Sequence, residues 1–211
     1  MTIFKTAIKK AKEALGWRVD FAYKEEVNSM KGEVFLKIVD DFTGEVLEDV
    51  HFDNLIVLDS SILLARLCKD STEPNFGINM LAVGTGASGA LLSPDVPDEK
   101  QRKLNNEIER KAFSSTTFRT SGGVAVAYPT KIVDFTTVFT ASEAVGPLNE
   151  MSLLSTVSSN PLVTNPNPNS FPTYDDTVDV TTYDMIVNYL SFPVISKPNT
   201  ATMTLTWRLT F

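Results

Sequence analysis

Residues 200–211 alternate without interruption. Ala201, Met203, Leu205, Trp207, Leu209 and Phe211 are apolar, and Thr200, Thr202, Thr204, Thr206, Arg208 and Thr210 are polar. A period of two marks a half-buried strand. A slip of one residue would turn the whole apolar set outward, so the register is well specified. Residues 131–140 (KIVDFTTVFT) repeat the pattern, with Val133, Phe135 and Phe139 on one face. EVFLKIV (33–39) and EVLEDVHFDNLIV (45–57) read as two further strands joined by Asp-Asp-Phe-Thr-Gly, where Gly44 supplies the positive φ of a tight turn. INMLAV (78–83) reads as a buried strand ending in Gly84-Thr85-Gly86, and 114–120, 123–128, 148–155 and 185–195 are further strand segments.

Two segments carry a helical period instead. Ile3, Phe4, Ala7, Ile8, Ala11, Ala14 and Leu15 recur at three and four residue steps, with Thr2 placed to cap the start and Gly16 to end it. Lys5, Lys9, Lys10 and Lys12 line the opposite face. Asp59 or Ser60 caps a second, shorter helix from Ser61 to Lys69, expected to bury Leu63, Leu64 and Leu67. Residues 100–112 are charged with apolar points at Leu104 and Ile108, a spacing that fits a short helix and an extended clamp equally. Strands without long helices between them favour antiparallel pairing. The expected fold is mainly β: an antiparallel β-sandwich with a short N-terminal helix and one internal helix. Residues 1–20 form an amphipathic arm and residues 21–211 the body. The body is interrupted at 157–183 by an irregular stretch holding Pro161, Pro166, Pro168 and Pro172, residues that cannot sit in a central strand.

Composition sharpens this division. Of the 45 charged side chains, 34 lie in residues 1–112, whereas residues 113–211 hold 29 Ser and Thr. Threonine suits a pleated surface that faces water or a partner. The net charge of −7 argues against a general nucleic-acid binder. No run approaches the ~20 apolar residues of a membrane-spanning helix, and the N-terminus lacks the apolar core of a secretory signal. A single cysteine, Cys68, excludes an internal disulfide framework, and a single histidine, His51, excludes sites that need two.

Candidate chemistry is sparse. Gly84-Thr85-Gly86 lacks the Lys-Ser/Thr of a phosphate loop and reads as a turn closing a strand. His51 lies within a strand pattern, and Cys68 is expected to behave as a small buried hydrophobe beside Leu67. Asp175, Asp176, Asp179 and Asp184 are the one acidic cluster, but their spacing does not match a calcium loop, and loop aspartates commonly cap turns. Glu107 with Glu143 or Glu150 would need to meet in space to act as a carboxylate pair. No catalytic residue, cofactor or metal is assigned, and the chain is expected not to be an enzyme.

Five segments, in order, carry a resemblance: NLIVLDSSILLARL (54–67), LAVGTGAS (81–88), LNNEIERKAF (104–113), VDFTTVFTASEAVGPLNEMSLLS (133–155) and FPVISKPNTATMTLTWRLTF (192–211). Together they resemble a family of tailed-bacteriophage structural proteins of the tail-fibre, tail-collar or minor virion type. Glu107 and Arg110 match its L-x-x-E-x-x-R segment, and Glu143 and Glu150 its T-A-x-E-A-x-G-x-L-x-E strand pair. Residues 1–53 and 157–183 depart from the family pattern. The resemblance implies a β-rich virion component, assembled in the host cytoplasm, that works in multiple symmetric copies at the neck, collar or tail. Its partners would be other virion proteins and copies of itself, with no nucleic acid and no membrane. A capsid decoration protein and a carbohydrate-binding adhesin domain are the alternatives. A host surface glycan is the less favoured partner, because a glycan site would group exposed loop aromatics and Phe171 and Tyr174 are the only loop candidates. Ile3, Phe4, Ile8, Lys9, Lys12, Phe171 and Tyr174 are the expected interface residues.

Overall fold

The computed structural model describes residues 30–69, 77–87, 94–156 and 184–211. The amphipathic segment 1–16, the proline-rich stretch 157–183 and all seven expected interface residues lie outside them.

The fold is mainly β, as the alternating pattern predicts. The strands are β1 (Lys31–Asp40), β2 (Val46–Ile56), β3 (Met80–Gly84), β4 (Glu107–Ala112), β5 (Ser115–Arg119), β6 (Ala125–Val126), β7 (Ile132–Phe139), β8 (Gly146–Ser155), β9 (Met185–Ile186), β10 (Asn188–Lys197) and β11 (Ala201–Thr210). One helix, α1 (Asp59–Lys69), follows β2 among the described residues. The sheet runs β4-β3-β8-β10-β2-β1-β11-β7-β5-β6, with β9 beside β8, and every pairing is antiparallel. β2 and β10 are joined through just two residue pairs, Asn188 with Ile56 and Tyr189 with Leu55. That short joint divides the sheet into a β2-β1-β11-β7-β5-β6 half and a β4-β3-β8-β10 half.

The register explains the burial. Val34, Leu36 and Ile38 of β1 lie opposite Trp207, Leu205 and Met203 of β11. Those three face Phe135, Thr137 and Phe139 of β7 in turn. The odd-numbered residues 201–209 are all buried and their even neighbours are half-exposed. These side chains share one core with Leu81, Val83, Leu148, Met151, Leu153 and Leu190 from the other half. Both halves therefore enclose a common apolar interior, an arrangement compatible with a sandwich. The β1–β2 turn is closed by Asp40, whose carboxylate accepts the amides of Phe42 and Thr43 at 3.0 and 2.9 Å. Gly44 follows with φ of 72°.

The second half of the sheet is buried on both faces. On the side away from the main core, Met80, Ala82, Leu154, Ile186 and Tyr189 cluster with Val57 and Leu104. The segment 94–106 crosses this face, and the Leu58 amide donates to the Glu99 carbonyl at 2.8 Å. The 100–112 segment resolves as extended, ending in β4, rather than helical. Asp59 opens α1 as expected. Leu63 is buried, but Leu64 and Leu67 are 43% and 41% exposed, so the helix buries one leucine rather than three. Cys68 is likewise exposed rather than a buried hydrophobe.

Trp207 is fully buried at the centre of the shared core, and its indole donates to Asn54 Oδ1 at 3.3 Å. Trp207→Ala is expected to cost about 3–5 kcal/mol of folding stability, read by urea denaturation. A loss below about 1 kcal/mol would contradict this core assignment.

Candidate functional site

Among the described residues, the most connected polar group on the second face is Glu150. It sits on β8 with 1% of its surface exposed. Its Oε1 accepts the amides of Gly86 at 3.1 Å and Asn106 at 2.7 Å. Its Oε2 accepts the Asn105 amide at 2.9 Å and the Tyr189 hydroxyl at 2.9 Å. A buried carboxylate needs such an arrangement, because an unpaired one costs far more than its partners return. Burial, followed by the adjacent Glu150 charge, drives the Tyr189 phenol well above its ordinary value, so it stays protonated and donating.

The glycines of the 84–86 turn acquire a reason here. A Cβ on Gly84 would lie 2.5 Å from both the Asn106 carbonyl and Glu150 Oε1. Gly86 has φ of 71°, and a Cβ there would meet the Asn149 amide oxygen at 2.6 Å. The turn does close a strand; Gly84 also leaves room for the Glu150 carboxylate, and Gly86 for the Asn149 and Asp95 side chains.

Beside this hub lies an arginine pocket. Arg110, on β4, forms a two-pronged ion pair with Glu107, and its Nη1 donates to Asp184 at 2.6 Å. Glu107 and Arg110 are three apart, which on a regular strand would put them on opposite faces. A β-bulge between Val83 and Gly84 pairs Glu107 with Gly84 and Arg110 with Ala82, so both reach the same side. Burial raises the Glu107 carboxyl above its ordinary value, against the opposing hydrogen bonds and charge of Arg110. Burial alone would depress the Arg110 guanidinium, but hydrogen bonds and charge from Glu107 and Asp184 raise it on balance. The structure thus brings Glu107 into the field of Glu150, with each already engaged by donors of this chain. Asp184, one of the four clustered aspartates, is buried and bound to Arg110; Asp175, Asp176 and Asp179 lie outside the described residues.

Three further pairs tie strand ends. Arg102 Nε donates to Asp59 Oδ1 at 3.0 Å, with both side chains buried, so the 94–106 segment is pinned to the start of α1. Lys111 donates to both oxygens of Glu143, at 2.8 and 2.6 Å. Glu143 also accepts the Thr140 amide at 2.7 Å, which closes the β7–β8 turn. Burial would raise the Glu143 carboxyl, but Lys111 and Thr140 together hold it below its ordinary value. Lys197, buried at the end of β10, donates to the Thr140 and Ala141 carbonyls at 2.8 and 3.3 Å, and burial depresses its ammonium.

On the opposite, threonine-rich face of the first half, Asp134 is buried between two arginines. Arg208 reaches it at 2.8 and 3.0 Å and Arg119 at 2.7 Å. His51 lies on the same face, half-exposed, its ring stacked on Phe35 with centroids 4.6 Å apart. Near α1, an apolar cavity of about 200 Å³ is lined by Leu63, Leu64, Leu67, Ile78, Phe135 and Phe211, together with Met30, Ser60 and Val187.

The sequence motifs contain Glu107, Arg110, Glu143 and Glu150, and the structure joins the first two to each other and sets Glu150 beside them. The motifs do not single out Tyr189, Arg102, Lys111 or Asp134. Their signal is a polar side chain inside an otherwise apolar strand or beside a turn, which periodicity alone leaves as solvent-facing.

Glu143 contributes stability above the unfolded carboxyl value of 4.5 that is lost as pH falls through its lower folded value. Glu143→Gln is therefore expected to lower the melting temperature at pH 7 and to approach the parent protein as pH falls below 4.5 and through the lower folded value. A constant difference at all pH values would refute the linkage. Glu150→Ala, which strands three amides and a hydroxyl, is expected to cost at least about 3 kcal/mol. Gly84→Ala should destabilise through the same hub, measured by chemical denaturation.

No family model matches the chain, and no curated protein matches it. The resemblance to phage structural proteins therefore stands on the quoted segments alone.

Proposed function

We propose that this chain is a non-enzymatic structural component of a bacteriophage virion that assembles in symmetric copies at the neck, collar or tail. The observation that carries the reading is how the resembling segments use their polar residues. Segments 81–88, 104–113 and 133–155 meet at Glu150, and Lys197 of 192–211 closes the turn of 133–155. These residues brace the frame rather than line an open cleft, as expected of a chain whose work is to hold its shape and pack against neighbours.

Assembly needs a contact surface, and the apolar cavity by α1 supports one. Leu64, Leu67 and Phe211 are each about two-fifths exposed around it, and grouped apolar exposure of this kind marks interaction sites. The occupant we propose is the apolar stripe of residues 1–16 from a neighbouring copy, carrying Ile3, Phe4 and Ile8. Met30, the first described residue after this stripe, lines the cavity. An exchange of arms around a ring would repeat one head-to-tail contact until the ring closes, with Lys9 and Lys12 meeting the acidic surface of an adjoining protein.

Leu64→Asp combined with Leu67→Asp is expected to leave a folded chain that fails to oligomerise and to enter particles. The readouts are light scattering coupled to size exclusion and the composition of purified virions. Normal incorporation of this variant, or of a protein lacking residues 1–16, would overturn the arm exchange. Absence of the chain from any particle would overturn the function itself.

A further inference from the structure

On the exposed face of β1 and β2, the register sets Glu33 directly opposite Asp53 and Phe35 opposite His51. Two like charges in register repel; Arg208, opposite Glu33 on β11, offsets part of that repulsion, and an ion bound between the two carboxylates would offset the rest. The imidazole is the third member of the group, with Nε2 3.6 Å from Glu33 Oε1. One donor atom each from Glu33, His51 and Asp53 lies within 4.8 Å of the other two. Donors bound at about 2.1 Å around a tetrahedral ion sit about 3.4 Å apart, so small side-chain rotations close the set.

The imidazole is also restrained. Its plane lies within 6° of the Phe35 ring, and the Arg208 guanidinium sits 5.3 Å from the same Phe35 ring. Arg208 is itself fixed by its two bonds to Asp134. The histidine therefore presents its nitrogen toward the carboxylates from a supported position. Glu33 and Asp53 also border an open cleft of about 620 Å³ that includes Asn54 and Thr210, so a fourth coordination position would face accessible space.

We propose that Glu33, His51 and Asp53 form a surface site for a divalent ion of the zinc class, with three ligands from this chain and one position open beside the cleft. The donor set decides the class. A nitrogen ligand with two carboxylates suits zinc and its neighbours, whereas calcium and magnesium favour all-oxygen sets of higher coordination number. The proposal is independent of any role in a virion.

The test is titration of the full chain with zinc chloride, and separately with calcium chloride, followed by calorimetry and by the imidazole nitrogen resonances. His51 is the single histidine, so those resonances report one residue. Saturable uptake of one zinc with a shift of the His51 signals is expected. Affinity should fall at least about tenfold in His51→Ala and in Asp53→Asn, both at exposed positions whose melting temperatures serve as the folding control. Cys68→Ser should leave zinc uptake unchanged. Equal binding by wild type and His51→Ala, uptake abolished by Cys68→Ser, or tighter binding of calcium than zinc would each overturn the assignment.

Discussion

A carboxylate withdrawn from water must find its donors within the protein, and for Glu150 those donors come from three separate parts of the chain. Gly86 belongs to the turn after β3, Asn105 and Asn106 to the approach to β4, and Tyr189 to β10. Tyr189 lies in a paired strand, but the first two backbones are irregular, so no ladder of strand pairing fixes them. The carboxylate does so, and it reaches them because Gly84 carries no side chain. Once the 104–106 segment is held, Leu104 packs over Met80 and Ala82, and Arg102 meets Asp59. The second face of the sheet is organised from this point outward, which makes the hub a specificity device as much as a source of stability.

The two faces of the molecule are built on different terms. The shared core rests on apolar side chains whose burial needs shape and volume alone. The far face of β3 and β8 mixes apolar residues with buried ions, each of which needs a partner in one geometry. Lys111, Glu143 and Lys197 extend the second kind of restraint to the β7–β8 turn, where the two kinds of packing meet.

Legibility in the sequence followed the physics of each feature. The unbroken alternation of 200–211 and the weaker pattern of 131–140 report which side chains face inward, and β11 and β7 bury those sets. Gly44 was legible because a tight turn constrains φ locally. Periodicity reports a face without saying what covers it, so Leu64, Leu67 and Cys68 of α1 were misread as buried. The Glu107–Arg110 pair had a visible spacing but a hidden cause, since a bulge is a property of two strands together. Glu150 was visible as a motif residue, yet its donors lie from 39 residues after it to 64 before it, a range over which one sequence carries no pairing information.

The placement of β11 has a consequence for synthesis. Residues 201–210 lie between β1 and β7, in the interior of the sheet and not at its rim. β1 pairs with them across about 160 to 180 intervening positions, from Asp40 with Ala201 to Lys31 with Thr210. Until residue 210 has left the ribosome, β1 and β7 each keep an unpaired edge and the core lacks Trp207. The nascent chain must therefore hold apolar strands apart until residues 201–210 emerge, and long-range pairing of this kind is slow. Loss of β11 would leave β1 and β7 without the partner between them, so the topology is intolerant of truncation within residues 201–210.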